Sequence, residues 1–362
     1  MKDESYASRF LCREEDWGYL LQDMDNDRLW GVSHKEYQRI FMDRSSPLWE
    51  LNPYRYSGDF FIGKHSQSLS LSAPISVSWS ITSSCNSRCV FCCTDSINQA
   101  TERNEATLNQ IEQTLDALAS WNVMRIVLGG GEPLTRPDFL DILQIFRSRS
   151  IRPVLATNGI LLTSNLLQAA VDTCMNLQIS LDTLSSETYH SLRGVDALKD
   201  VTNHLCEAAE SGALVRVVTV VTSKNINELP QIGNFLGRCG VRQWFIYELL
   251  RSGRAVNNYE QLHVRRTADI KSLADRLQQV YPNLSVWYWG SKSADGCSVY
   301  ISPDGTLELV NYHTNSFFRF PCSAFSLSSA KKYWEQVAPN SKQSILENFL
   351  SKNRTMGDAT NV

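Results

Sequence analysis

The sequence lacks three features that would each assign it to a broad class of protein. It has no apolar run of transmembrane length, and its start, Met1–Ser5, lacks the apolar core of a signal peptide. It also lacks a charge excess: the formal net charge of its 362 residues is −3, which gives no general reason to bind nucleic acid or an anionic membrane. We therefore expect a cytoplasmic protein that binds neither nucleic acid nor a membrane.

The composition is that of an ordinary globular protein, with 43% hydrophobic and 20% charged residues. The length allows one large domain with extensions, or two domains. Ten cysteines are present. Because no export signal accompanies them, we interpret them as reduced thiols and metal ligands rather than as disulfides.

Three of these cysteines stand close together after the first predicted strand. Cys85, Cys89 and Cys92 are separated by three and then two residues, so one tight loop can bring their thiols to one side. Converging thiolates are ligands for a soft metal site, and iron–sulfur clusters are held by such runs. The alternative is a set of buried thiols without a ligand, which the polar neighbours Asn86 and Ser87 argue against.

The number of cysteines in the loop matters as much as their spacing. A structural zinc site or a closed cluster takes four protein ligands, so three leave one metal position open for another molecule. Cys93 directly follows a candidate ligand and is expected to point elsewhere.

The pattern Cys-x3-Cys-x-aromatic-Cys, with Phe91 as the aromatic residue, resembles the signature of the radical S-adenosylmethionine (SAM) superfamily. In that family three cysteines hold a [4Fe–4S] cluster, and the open iron binds the amino and carboxylate groups of SAM. Reductive cleavage of SAM yields a 5′-deoxyadenosyl radical that abstracts hydrogen from the substrate. The resemblance implies that Cys85, Cys89 and Cys92 are the cluster ligands and that SAM is the second cofactor.

The sequence after residue 74 alternates short β-branched runs with longer periodic segments, which predicts six strand–helix units and a parallel α/β sheet. The predicted strands are Ile75–Ile81, Val123–Leu128, Pro153–Ala156, Leu177–Leu181, Val215–Val221 and Gln243–Leu249. The predicted helices begin near Leu108 and otherwise cover 137–148, 163–172, 196–211, 226–239 and 265–280. The resemblance implies an open, TIM-like partial (β/α)6 barrel, whose chemistry lies at the carboxyl ends of its strands.

The second predicted strand ends in a Gly-Gly-Gly-Glu-Pro string. Its glycines permit close approach of the backbone to a ligand, although a plain strand-to-helix turn has the same composition. The position of the string, one strand after the cysteines, resembles the SAM-binding motif of the family. That resemblance implies a SAM site made of Gly130, Gly131 and Glu132, with Gly130 and Glu132 on the methionine amino group.

Polar residues also follow the third and fourth predicted strands. By resemblance, Asn158 lines the SAM pocket, Ser180 binds SAM near the ribose, and Arg193 pairs with the SAM carboxylate, which suits a fork-shaped permanent cation. Asp182 shares the face of Ser180 and is assigned to the same site. The alternatives are an Asx turn at Asn158, a helix cap at Asp182 and a solvated Arg193.

The sixth predicted strand leads into Gly253-Arg254-Ala255. Peptide-modifying relatives often carry Gly-Arg-Ala at this point, but an ordinary loop glycine beside a surface arginine explains it equally well.

The sequence predicts extensions on both sides of a barrel at residues 75–284. In the N-terminal α+β extension, residues 1–74, Tyr19–Leu21 and Leu29–Val32 flank a polar turn, which predicts a β-hairpin followed by a helix at about 34–42. Some relatives use a similar segment to bind the leader of a precursor peptide as an added strand. The alternative is a brace for the barrel.

Residues 285–362 resemble the SPASM or shorter twitch extension of peptide-modifying relatives, here a hairpin and helix segment with a disordered tail. Cys297 and the turn at 303–305 fit that pattern, but Val310 stands where a second cysteine is expected. Cys322 comes later, and even with His313 the segment offers three ligands at most. We therefore expect a degenerate extension without a full set of auxiliary clusters.

These features identify the chain as resembling the SPASM/twitch-type, peptide-modifying branch, the maturases of ribosomally made peptides. The expected reaction is epimerisation, cross-linking or rearrangement of a precursor peptide, with an electron donor such as flavodoxin or ferredoxin as a partner. Thiols that could donate a hydrogen atom are Cys239, Cys297 and Cys322, although each is also explained as a small buried side chain. The alternatives are a radical SAM enzyme of small-molecule antibiotic or cofactor biosynthesis and, third, a non-catalytic cluster-bearing peptide-binding protein.

Overall fold

The structure is a computed structural model, and it describes eight segments of the chain. These are residues 10–24, 29–38, 60–62, 71–96, 105–290, 297–311, 316–320 and 327–337.

The N-terminal segments form a small four-stranded sheet. Its strands, in spatial order, are β1 (Phe10–Glu15), β2 (Gly18–Asp23), β3 (Leu29–Ser33) and β4 (Phe60–Ile62). The predicted hairpin is present, because β2 pairs antiparallel with β3, whereas β1 and β4 were not predicted. Helix α1 (His34–Tyr37) is described over one turn, and the remainder of the predicted helix, from residue 39, lies outside the described residues.

A ten-stranded sheet forms the centre of the molecule, and its first seven strands are parallel. They are β5 (Ser76–Thr82), β6 (Arg125–Gly130), β7 (Arg152–Thr157), β8 (Asn176–Ser180), β9 (Leu214–Val221), β10 (Gln243–Glu248) and β11 (Ser285–Trp289). The six predicted strands are thus confirmed within two residues at each end. The seventh, β11, lies where the C-terminal extension was expected to begin, so the parallel sheet continues past residue 284.

The helices lie between these strands in the chain. They are α2 (Leu108–Ser120), α3 (Phe139–Phe146), α4 (Ser164–Asp172), α5 (Ser186–Arg193), α6 (Leu198–Glu210), α7 (Leu229–Arg238), α8 (Ala255–Leu262) and α9 (Thr267–Val280). Short 3-10 turns precede α3 and α7, at Pro133–Thr135 and Ile226–Glu228. Helices α5 and α8 were not predicted, and both contribute to the site described below.

The C-terminal segments extend the same sheet from its other side. Strands β12 (Cys297–Ile301), β13 (Leu307–Asn311) and β14 (Ser316–Phe320) form an antiparallel meander, and β12 pairs in parallel with β5. The predicted hairpin turn at 303–305 is present, with Gly305 at a φ of 83°. Helix α10 (Leu327–Val337) follows. In the described part of the chain, β11 and β14 stand at opposite ends of the strand order, so the sheet is open.

Side chains along the parallel strands point alternately to the two faces of the curved sheet. One face is buried under the helices, and the other lines the interior. Trp79, Ile126, Leu177 and Trp244 point toward the helices and are almost fully buried, as strands covered by crossover helices require. Within the described residues, no helix combines the length and the apolar character needed to cross a membrane.

The N-terminal sheet contacts the amino ends of the barrel strands. Arg13 forms a buried ion pair with Glu15 at 2.8 Å and donates to the carbonyls of Pro74 and Asn122. From the barrel, Arg152 donates to the carbonyls of Asp23 and Met24. These contacts support the interpretation of residues 1–74 as a brace; the division into three domains and leader binding stay predictions.

Candidate active site

The cysteine loop follows β5 and presents three free thiols. Cys85, Cys89 and Cys92 are all half-buried, and each accepts a hydrogen bond or lies against a donor. The N–H of Ser87 lies 3.4 Å from Cys85 Sγ, Arg193 Nη1 lies 3.9 Å from Cys89 Sγ, and Thr94 Oγ1 lies 3.4 Å from Cys92 Sγ.

Burial favours the protonated thiol at Cys85 and Cys89 in the absence of a metal. Burial raises the pKa of Cys85 to about 11, and it raises the pKa of Cys89 despite the lowering effect of Arg193. Because the thiolate is the metal ligand, binding of iron to this loop must release protons.

Glu132 is the buried carboxylate beside the loop. Its side chain accepts from the Thr157 hydroxyl at 2.8 Å, from the Asn158 N–H at 2.7 Å and from the Leu134 N–H at 3.2 Å. All three donors are neutral, and burial raises the pKa of Glu132 to about 7 even though these bonds lower it. A carboxylate accepts about four hydrogen bonds, so Glu132 can take one more donor, and that bond would favour its ionised form.

The two glycines before Glu132 are required by packing on the chain itself. Gly130 has a φ of 104°, which disfavours any side chain. At Gly131 a Cβ would lie 1.9 Å from the carbonyl oxygen of Ser84, just before the first cysteine. The N–H groups of Gly131 and Glu132 donate to the carbonyls of Thr82 and Ser84. The absence of side chains at Gly130 and Gly131 thus lets the backbone before Glu132 pack directly against the start of the cysteine loop.

Asn158 combines the two roles considered from the sequence. Its Oδ1 accepts from the Ile160 N–H at 3.0 Å, which is the Asx turn. Its Nδ2 donates to Asn86 Oδ1 at 2.6 Å, inside the cysteine loop. The turn therefore positions a side chain that connects β7 to that loop, and lining of the SAM pocket stays a prediction.

Asp182 and Arg193 form a buried ion pair beneath the loop. Arg193 is 5% exposed, so it is not a solvated surface residue. Asp182 also accepts from the Val220 N–H and is not a helix cap, since Ser185 caps α5. Ser180, at the end of β8, is partly exposed on the same side.

The end of α5 is bonded to the loop through its backbone. The carbonyls of Arg193 and Leu192 accept from the N–H groups of Arg88 and Val90, and the Arg193 guanidinium lies 5.4 Å from the Phe91 ring centre. Helix α5 therefore holds the middle of the loop in place.

Arg254 holds the loop from the other side, a contact that no sequence pattern predicted. Its guanidinium donates to the carbonyl of Cys89 at 2.8 Å, to the carbonyl of Ser96 at 2.6 Å and to Asp95 at 3.1 Å. A Cβ at Gly253 would lie within 2.6 Å of the carbonyls of Cys92 and Cys93. The Gly-Arg-Ala string thus holds the cysteine loop in place and is not an ordinary surface turn. We call the contacts of Arg254 with this loop the clasp.

The residues present fit a [4Fe–4S] cluster and SAM. Among the described residues, no three His, Cys, Asp or Glu side chains are close enough to bind a single metal ion, whereas in a cluster each thiolate binds a different iron. The Nε–H of Arg193 is buried and has no hydrogen-bond partner, so a carboxylate would satisfy it. Glu132 has room for one further donor, which an amino N–H would supply.

The cysteines outside the loop include a bonded pair. Cys206 and Cys239 form a disulfide, with Cα atoms 5.0 Å apart, so the expectation of reduced thiols is wrong for this pair and Cys239 is not a free hydrogen-atom donor. The two residues meet because α6 and α7 are adjacent, which spacing in the sequence does not reveal. Cys297 begins β12 with no described side chain, and Cys322 and His313 lie outside the described residues.

The sequence and the fold both resemble known proteins. Residues 79–236 match the Radical SAM superfamily. Mycofactocin maturase MftC of Mycobacterium ulcerans (strain Agy99) is 30% identical over 195 residues, 53% of this chain and 52% of the relative. The AdoMet-dependent heme synthase of Methanosarcina barkeri is 29% identical over 50% of this chain and 52% of the relative. The chain spans about half the length of the curated relatives it matches.

Solved structures share the fold at low identity. SuiB of Streptococcus suis, crystallised with its precursor peptide SuiA, has a TM-score of 0.62 and 16% identity over 83% of this chain and 81% of that chain. Native anSMEcpe with bound AdoMet has a TM-score of 0.55 and 15% identity over 77% of this chain and 84% of that chain. The predicted barrel class is confirmed. Residues 79–236 are therefore similar in sequence to the radical SAM superfamily, and the open barrel with a three-cysteine loop at the end of β5 agrees with that similarity.

Proposed function

We propose that this protein is a radical SAM enzyme that abstracts hydrogen from a ribosomally made peptide and thereby modifies it. The observation that carries the proposal is the convergence of three free thiols, the buried Glu132 carboxylate and the Arg193 Nε–H around one loop at the carboxyl end of β5. When bound, the [4Fe–4S] cluster and SAM supply the reducing electron and the 5′-deoxyadenosyl radical.

The chain's own residues bind and orient these cofactors. Cys85, Cys89 and Cys92 are the proposed cluster ligands, and Glu132, aided by the Gly130 and Gly131 backbone, is the proposed partner of the SAM amino group. Arg193, fixed by Asp182, offers its Nε–H to the SAM carboxylate, while Ser180 and Asn158 line the adjacent pocket. Because these groups are held before SAM arrives, little ordering is left to the binding step.

A peptide substrate is supported by the named relatives. Mycofactocin maturase MftC is called a maturase, and SuiB is crystallised with the precursor peptide SuiA. The degenerate C-terminal extension, with Val310 in the place of a second cysteine, favours an outcome that needs no auxiliary cluster, such as epimerisation or rearrangement. An external electron donor, a flavodoxin or ferredoxin, is proposed as a second partner.

A small-molecule substrate is the second candidate, because GTP 3′,8-cyclases and the heme synthase match this chain at similar identity. Inspection of the neighbouring genes for a short precursor peptide, followed by incubation of such a peptide with the protein, SAM and dithionite, distinguishes the two. We expect a mass change in the peptide, and an unchanged peptide with SAM consumed on a small molecule would favour the second candidate.

The proposal of an enzyme is tested by SAM cleavage. Anaerobically reconstituted protein with dithionite and SAM is expected to release 5′-deoxyadenosine. Absence of release from protein with an intact cluster would contradict the proposal and favour a non-catalytic cluster-bearing protein.

A further inference from the structure

The side chains on the interior face of the barrel differ in size between the first and the last parallel strands. Register places Ser78, Ser80, Gly129 and Ala156 on the interior face of β5 to β7, where all four side chains are small or absent. On β10 and β11 the same face carries Phe245, Tyr247, Trp287 and Trp289, which we call the aromatic wall. Register sets these small residues two to four positions nearer the amino ends of the strands than Phe245, so they lie deeper in the interior than the wall.

The rings of the aromatic wall are ordered against one another. Phe245 and Trp287 occupy paired positions on neighbouring strands, with ring centres 5.9 Å apart and planes 8° apart. Tyr247 meets Phe245 edge to face at 6.3 Å, and the Arg216 guanidinium lies 5.3 Å from the Phe245 ring centre. Mutual packing of this kind fixes the rings and presents a rigid surface.

The wall is only partly covered by the described residues. Phe245, Tyr247 and Trp287 are partly exposed, and Trp289 is 43% exposed. The alternating residues of β10 on the outer face, Trp244 among them, are instead fully buried. Partly exposed rings gathered on one concave surface are typical of a binding site rather than of core packing.

The wall lies at the level of the proposed SAM site. Register aligns Ser180 with Val218 on β9 and with Phe245 on β10, while Tyr247 is one step nearer the carboxyl ends. A group resting on these rings would therefore lie at the height of Ser180, on the same side of the barrel as Gly253 and Arg254, which contact the cysteine loop after the end of β10.

We propose that the aromatic wall binds an aromatic side chain of the peptide substrate. Offset and edge-to-face contacts give a ring an advantage over an aliphatic side chain of similar area, and the positive charge of Arg216 disfavours lysine or arginine. This inference rests on the proposed peptide substrate and adds its chemical class.

The probes for the test are the N-acetyl amides of tyrosine, leucine and lysine. They are mixed with reconstituted, SAM-loaded protein, and binding is followed by saturation-transfer NMR. We expect tyrosine to bind about fivefold better than leucine, and lysine to bind worst, since aromatic pairing adds to the area buried. Equal binding of tyrosine and leucine would overturn the inference.

Substitutions in the aromatic wall test whether tyrosine binds there. Phe245→Leu and Trp287→Leu are expected to remove most of the preference for tyrosine, and Trp289→Leu, at the exposed end of the wall, is the variant that tests it if the first two fail to fold. Leu140→Ala, at an exposed position on α3, is the matched control and should leave the preference unchanged. A tyrosine preference that persists in Trp289→Leu and in any folded variant of the other two would overturn the assignment.

The outcome is independent of the test of the proposed function. Loss of 5′-deoxyadenosine release with tyrosine binding retained would contradict the enzyme proposal alone. Normal release with no tyrosine preference would contradict only the aromatic wall.

Discussion

At the scale of single residues, the site depends on charged groups that are buried before any cofactor binds. Glu132 has a raised pKa because it is fully desolvated and has only neutral donors, and Arg193 keeps one unsatisfied N–H. Buried groups of this kind are costly in a stable fold and are frequent at functional sites. Their position around the cysteine loop gives SAM its proposed binding groups.

Glu132 predicts a pH dependence of SAM binding. Its pKa of about 7 means that the acid form prevails below that pH, and a neutral acid cannot pair with the SAM amino group. Since a donor from SAM favours the carboxylate form, lowering the pH through 7 must weaken binding, by about tenfold between pH 8 and pH 6. Calorimetric titration of reconstituted protein measures this.

Two variants complete the Glu132 experiment. Glu132→Gln should bind SAM weakly at every pH, whereas Glu210→Gln, which alters an exposed carboxylate, should behave like the wild type. A wild-type affinity that does not change between the two pH values would contradict the assignment of Glu132.

Arg254 predicts a second residue-scale effect. Arg254→Lys keeps the charge but loses the fork that reaches the carbonyls of both Cys89 and Ser96. Hydrogen bonds to charged groups contribute about 2 kcal/mol each, so the loss of one should make opening of the loop, and loss of the cluster to a chelator, about thirtyfold faster. The decay of the cluster absorbance in EDTA measures this rate.

Arg251→Lys is the matched control, because Arg251 is exposed and its ion pair with Glu260 spans 3.8 Å. A cluster in Arg254→Lys that is as durable as in Arg251→Lys would show that the clasp is dispensable.

At the scale of elements, the parallel strands were predictable because runs of apolar and β-branched residues at neighbouring positions indicate a strand locally. Helix α5 was missed because most of its residues are polar and only Tyr189, Leu192 and Arg193 are buried. Strand β11 was missed because Val286, Trp287, Tyr288 and Trp289 carry large side chains on both faces, without the alternation that marks a strand. The clasp by Arg254 joins residues about 165 positions apart, and no local pattern encodes such a contact.

The junction between β6 and the cysteine loop predicts the effect of a single methyl group. Gly131→Ala would place a Cβ 1.9 Å from the Ser84 carbonyl oxygen. The Cβ is fixed to the backbone at position 131 and the oxygen belongs to the backbone at position 84, so relief of the clash requires one of the two backbone segments to shift. We expect a loss of about 3 kcal/mol in the free energy of unfolding, in the range of other sites of overpacking.

Gly237→Ala is the control for this variant. A Cβ at Gly237, inside α7, meets nothing within 4 Å, and alanine favours a helix by about 1 kcal/mol over glycine. Urea unfolding of both variants measures the difference, and equal stabilities would contradict the proposed close packing.

At the scale of the whole molecule, the barrel is braced at the amino ends of its strands and open to chemistry at the carboxyl ends. The N-terminal sheet contacts the amino ends of the strands through Arg13 and Arg152. The cysteine loop, Glu132 and the aromatic wall lie toward the carboxyl ends. The sequence indicated this polarity through motifs that follow the strands, but it left the role of residues 1–74 open.

The brace predicts a large stability effect at Arg13. Arg13→Met leaves Glu15 buried without its cation, which should cost about 3 kcal/mol or more. Arg266→Met removes an exposed pair with Asp269 and should cost almost nothing. Urea unfolding of the two variants tests the brace, and similar small losses would favour a loosely attached N-terminal sheet.

The central claim is that Cys85, Cys89 and Cys92 hold the one cluster of this protein, and the iron and sulfide content of reconstituted protein tests it most directly. We predict about four iron and four sulfide per chain in the wild type and in Cys93→Ala, and almost none in Cys89→Ala. A cluster retained in Cys89→Ala would contradict the ligand assignment, and about eight iron per chain would contradict the single cluster.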